Sequence, residues 1–134
     1  MRHMLGYTGR NGNYNLAVMS MPGERPVFTL GEAQALLPKV KLLTADAVRR
    51  SEQLSAQLHG VAEDDPAHAM LSAALRDVVN SWAEELQTLG AEPKGPWLVD
   101  FDNGEGYYCW RYPEAGITHY HDYSDGFAGR VTIQ

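Results

Sequence analysis

The sequence predicts an α+β domain, a long antiparallel helical hairpin followed by a small three-stranded antiparallel β-meander. Two observations carry this. Between residues 28 and 90 apolar side chains recur three or four positions apart, the spacing of a helix face. After a Pro/Gly-rich break at residues 91–96 the rhythm changes to a period of two, that of a pleated strand. A chain of 134 residues, 44% hydrophobic and 21% charged, accommodates one such domain with a core of ordinary size.

Residues 1–27 read as a flexible N-terminal arm, because Gly, Asn, Pro and Arg interrupt every local period. Only a short extended piece, Asn15 to Met19, is suited to pairing with a sheet edge. Residues 28–134 form the single structured domain. Thr29-Leu30-Gly31-Glu32 is a capping box: the Thr hydroxyl can accept from the amide of Glu32, whose carboxylate can reach back. Leu36, Val40, Leu43, Ala47, Leu54 and Leu58 then mark a helix seam, with Ser51 as its polar break. Pro38 lies inside this pattern without an amide, which predicts a kink or a short first helix ending at Leu36 or Leu37.

Gly60 to Asp64 is a turn, and Asp65-Pro66 supplies an N-cap followed by proline at the first helical position. Leu71, Leu75, Val78, Trp82, Leu86 and Leu89 define the second helix, and Gly90 is placed to stop it in the left-handed conformation. Helices of roughly 20–30 residues would be roughly 30–45 Å long. Strands follow at Trp97–Phe101, Tyr107–Arg111 and Ile117–His121, with turns at 102–104 and 112–116; the tail from Asp125 to Arg130 reads as loop.

Charge and composition narrow the functional classes. The formal net charge of -6 argues against general nucleic-acid binding, which requires a basic surface. No stretch approaches the ~20 apolar residues needed to span a bilayer, and no signal-peptide pattern opens the chain. The single cysteine, Cys109, suits a reducing compartment, so a cytoplasmic protein is expected. One hairpin has too little surface to bury both sides of its apolar stripe together with Val48, Val79 and Trp82. A homodimer joined through a helical bundle is therefore expected.

Several blocks together have a family likeness: Phe28-Thr29 with Glu32-Ala33 and Leu36-Leu37-Pro38, then Leu98-Val99-Asp100-Phe101, Cys109-Trp110-Arg111, and His121 followed by Gly126-Phe127-Ala128-Gly129-Arg130. Over residues 28–134 the chain resembles an uncharacterised prokaryotic family, domain-of-unknown-function family 2203. The resemblance implies a bacterial-type protein with the fold read above, and no activity. His119 stands where the family is expected to carry an aromatic residue.

Four groupings of residues could carry chemistry. His119 and His121 share a strand face and could converge on a transition metal such as zinc. Cys109 on the neighbouring strand would be a thiolate ligand, and Asp122, Asp125 or Glu114 a carboxylate ligand. The ordinary alternative is a surface histidine pair, or a His121 that anchors the tail. Arg111 and Arg130, near a Gly-rich turn, could hold an anion together with His121 and Trp110, the alternative being an internal ion pair from Arg130 to Asp100, Asp102 or Glu114. Cys109 with His119 or His121 could form a nucleophilic pair, although a strand cysteine between Tyr108 and Trp110 is ordinarily buried and inert. Finally, the aromatic residues crowding the C-terminal third could form a contact surface. The expected function is accordingly a small non-enzymatic binding or assembly protein, with a metalloprotein carrying a His-x-His site as the alternative.

Overall fold

The computed structural model describes residues 3–4, 18–19 and 26–134. Within the arm, β1 (His3–Met4) pairs antiparallel with β2 (Val18–Met19); the rest of the arm lies outside the described residues. The capping box forms as predicted. Thr29 Oγ1 accepts from the Glu32 amide at 3.1 Å, and Glu32 Oε1 accepts from the Thr29 amide at 2.9 Å. It opens α1 (Leu30–His59). Asp65 caps α2 (Pro66–Thr88) by accepting from the Ala67 amide at 2.9 Å. Gly90, at φ +93°, ends that helix. Its amide donates to Gln87 O at 2.9 Å, and the next amide, Ala91, donates to Leu86 O at 3.1 Å, so a Schellman pair answers two of the last carbonyls.

The expected break at Pro38 does not occur: α1 is a single helix through it. Pro38 is exposed, while Leu37 and Val40 on either side of it are buried. The missing amide therefore falls on the outer face, and the buried face holds the two halves in line.

The sheet differs more from expectation. It has five antiparallel strands in chain order, not three: β3 (Glu92–Gly95), β4 (Leu98–Asp102), β5 (Gly106–Arg111), β6 (His119–Asp122) and β7 (Val131–Thr132). Both additional strands are edges. β3 occupies the stretch expected to be a linker. Its Pro93 lies opposite Val99 at the edge of the sheet, the position in which a strand tolerates proline. β7 is two residues long, too short to show a period, and pairs His119 and Tyr120 with Thr132 and Val131. Between β5 and β6 the backbones approach so closely at Gly106 that a Cβ there would lie 2.6 Å from the His121 carbonyl oxygen.

The helices cover one face of this sheet. Ala33, Leu37, Val40 and Ala47 of α1 and Val78, Trp82, Ala83 and Leu86 of α2 share a core with Val99, Phe101 and Trp110. Trp82 is 1% exposed, so it finds its cover within one chain, against Trp97 at 5.0 Å between ring centroids. The sheet thus removes Trp82 from the reasons for expecting a dimer, while Val48 and Val79 stay half-buried.

A buried polar relay joins the helices. Trp82 Nε1 donates to Thr44 Oγ1 at 2.9 Å, and that hydroxyl donates to Val40 O at 2.7 Å. Thr44→Val keeps the shape but leaves the indole N–H without an acceptor. It is expected to lower unfolding stability by about 1–3 kcal/mol, measurable as a reduced urea midpoint at unchanged m-value.

Candidate metal centre

Strand alternation sorts the sheet into two chemical faces. Val99, Phe101 and Trp110 point into the core. Asp100, Cys109 and His121 point to the other face, away from the helices. The register sets Asp100 opposite Cys109 and Tyr107 opposite His121, so β4, β5 and β6 each contribute one polar side chain to the same place. These three are nonetheless buried: Asp100 is 2% exposed, Cys109 0% and His121 4%. One ligand atom from each lies within 4.8 Å of the other two.

Hydrogen bonding fixes what each group presents. His121 Nδ1 lies 2.8 Å from the Asp122 carbonyl oxygen. A carbonyl only accepts, so Nδ1 carries the proton and Nε2 presents its lone pair in the neutral ring. Nε2 in turn lies 3.0 Å from Asp100 Oδ2, a carboxylate oxygen. Two acceptors face each other there, and a cation, either a proton or a metal ion, is required between them. Among the described residues the other carboxylate oxygen, Asp100 Oδ1, is buried without a hydrogen-bond partner.

Electrostatics at the site follow from burial. Burial pushes the Asp100 carboxyl above its ordinary range, and the charges of His121 and Lys94 offset only part of that. Lys94 Nζ stands 3.9 Å from Asp100 Oδ2 and 4.1 Å from the centre of the Tyr107 ring. Burial, followed by the negative charge of Asp100, pushes the Cys109 thiol up to about 12, while Arg130 pulls in the opposite direction. Without a metal, Cys109 is therefore a neutral thiol at physiological pH and not a nucleophile.

The residues singled out from sequence separate into two sets. Cys109 and His121 lie in one cluster, joined by Asp100. His119 lies across from Cys109 in register, but its Nδ1 pairs with Thr118 Oγ1 at 2.9 Å, and it is not part of the cluster. Of the anion-binding candidates, Trp110 is in the core with Nε1 donating to Glu114 O at 2.8 Å. Arg130 grips Glu114 with two nitrogens, at 3.1 and 2.5 Å, and lies 4.2 Å over the Phe127 ring. Arg111 is exposed and lies 5.4 Å from the same ring. The tail is thus held by an internal ion pair to Glu114. Its turn is tight: a Cβ at Gly129 would lie 3.0 Å from that of Asp125.

Burial alone would raise the Glu114 carboxyl, but hydrogen bonds from Arg130 and the Arg111 amide, with the Arg130 charge, bring it below the ordinary carboxylate range. A depressed carboxyl stabilises the fold above its unfolded-state pKa, and that contribution disappears as pH falls through the folded-state value. Wild-type protein is expected to lose more stability than Glu114→Gln on acidification from pH 6 into the carboxylate range. Paired urea titrations at each pH measure the difference.

Asp100 is the member of the cluster that sequence reasoning did not select. The available signal was its place in Val99-Asp100-Phe101, a carboxylate alternating with two apolar neighbours on the strand beside Cys109.

No curated protein matches the chain, and no solved structure does. The family described as Uncharacterized conserved protein (DUF2203) matches residues 26–133, which include both helices, the five-stranded sheet and the Asp100, Cys109 and His121 cluster. The chain belongs to this family.

Proposed function

We propose that this protein binds a single transition-metal ion, zinc or a similar late metal, through Asp100, Cys109 and His121. The observation that carries this reading is the pair of acceptors, His121 Nε2 and Asp100 Oδ2, facing each other at 3.0 Å beside a buried thiol. Mixed nitrogen, sulfur and oxygen donors suit zinc, which takes ligands at about 2.0–2.3 Å in tetrahedral geometry. The bond from His121 Nδ1 to a backbone carbonyl is the outer contact that aims Nε2 at a metal. Thiolate formation accompanies binding, with the Cys109 proton released to solvent. Three protein ligands leave a fourth position for a water or a small donor. The reducing cytoplasm is the compartment assigned here, since it keeps the thiol available.

An assembly role through the aromatic third has less support. Phe101 and Trp110 are 0% exposed and Tyr107 is 7% exposed, which leaves Tyr120 and Tyr123 as the aromatic residues with large exposed areas. A homodimer remains compatible with the metal reading, which does not depend on it.

The test is a zinc(II) titration of untagged, chelator-treated protein against a chromophoric competitor. The expected result is one ion per chain. Asp100→Asn and Cys109→Ser are each expected to weaken binding by about a hundredfold or more, the upper end of what loss of an outer-shell partner costs, while His119→Ala leaves binding unchanged. Equal binding by wild type and the Asp100 and Cys109 variants would contradict the proposal.

A further inference from the structure

We infer that the cleft between α1 and the loop after β5 is a binding site for a small aromatic carboxylate. This cleft lies on the helix-covered side of the sheet, and its occupancy is independent of the metal reading. It encloses about 750 Å³, within the range of small-molecule sites at about 300–1,000 Å³. One wall is a stripe of α1 containing Pro38, Lys41 and Leu42, and the other is formed by Tyr112 and Pro113, with Leu37 and Trp110 buried at the floor. Trp110 is buried beneath this wall and meets Tyr112 edge to face at 6.3 Å, which fixes the half-buried Tyr112 ring as the aromatic surface a bound ring can reach. Leu42, 74% exposed, adds accessible apolar surface to this cleft.

Charge selects the class of occupant. Lys41 is the cation lining the cleft. Its Nζ donates to the Ala115 carbonyl at 2.9 Å, a neutral acceptor, and no carboxylate pairs with it among the described residues. The ammonium is thereby held in place with its charge uncompensated and two donors remaining. A carboxylate attached to one or two fused rings satisfies both features, with the rings against Tyr112 and Leu42 and the anion on Lys41. Pro38 adds polarity on the same wall, because its missing amide leaves the carbonyl of Gln34, another lining residue, without its helical donor.

The experiment titrates wild-type protein and Lys41→Met with 1-naphthoate and with its neutral counterpart, 1-naphthamide, following tryptophan fluorescence and calorimetric heat. Wild type is expected to bind the acid saturably and about tenfold more tightly than the amide, the value of one charge-assisted hydrogen bond. Lys41→Met is expected to remove that preference without moving the thermal midpoint. Absence of saturable binding, or equal binding of acid and amide by wild type, would overturn the inference whether or not the variant folds. Self-association without ligand binding would also overturn it, by assigning the cleft to a second copy.

Discussion

Trp82→Ala is expected to lower unfolding stability by about 3–5 kcal/mol, the range for removing a buried large aromatic side chain. Trp82 is 1% exposed and touches all three parts of the fold: α1 through Thr44, its own helix, and the start of β4 through Trp97. Truncation opens a cavity where the hairpin meets the sheet and also leaves the Thr44 hydroxyl without its donor. Trp97 is held at φ +69°, a left-handed conformation that costs a non-glycine residue about 1–2 kcal/mol. The edge-to-face contact with Trp82 helps hold it there, so Trp82→Ala is expected to loosen the β3–β4 turn as well. Trp82→Phe keeps most of the volume and is expected to cost less than half as much. Urea unfolding followed by circular dichroism separates the two variants, and equal midpoints would show that the indole does not join helices to sheet.

The second large effect is expected at the polar cluster. In metal-free protein, His121→Ala leaves the Asp100 carboxyl buried with Lys94, 3.9 Å away, as the remaining cation. Removing one member of a buried pair costs about 3–5 kcal/mol. The cost depends on pH. Burial already holds the Asp100 carboxyl above its ordinary range, with His121 as its principal offset. Without His121 the folded-state value rises further above the unfolded one. Stability is then complete below the unfolded-state pKa and declines as pH rises through the folded-state value. The His121→Ala deficit is therefore expected to be small at pH 4 and to grow toward pH 7. Adding Asp100→Asn is expected to recover part of the loss at pH 7 and little at pH 4. A deficit independent of pH would mean that packing, not the carboxylate, accounts for the role of His121.

The helices were legible because their signals are local and redundant. Thr29 with Glu32, Asp65 with Pro66, and Gly90 each mark an end through a hydrogen bond within four residues. The central strands were legible from alternation, since one face of β4 and β5 is apolar core. The edge strands were not. β3 carries Pro93 and Gly95, which read as a break, and its pairing is visible only once β4 lies beside it. Pro38 misled for a related reason: local chemistry predicts a break, and the tertiary packing of Leu37 and Val40 overrides it. At the site, the pairing of Cys109 with His121 followed from period and strand order. Choosing between Asp100 and His119 as the third member of the cluster required the register and the side-chain directions across three strands, which no local pattern encodes.

The most direct test is cobalt(II) added to untagged, chelator-treated protein, read by absorption spectroscopy. Coordination by Asp100, Cys109 and His121 predicts a thiolate-to-cobalt charge-transfer band in the near ultraviolet and strong visible bands of a four-coordinate ion. Both should saturate at one equivalent and be displaced by zinc, and the charge-transfer band should be absent in Cys109→Ser. Weak six-coordinate bands without a sulfur transition, identical in wild type and Cys109→Ser, would contradict the assignment.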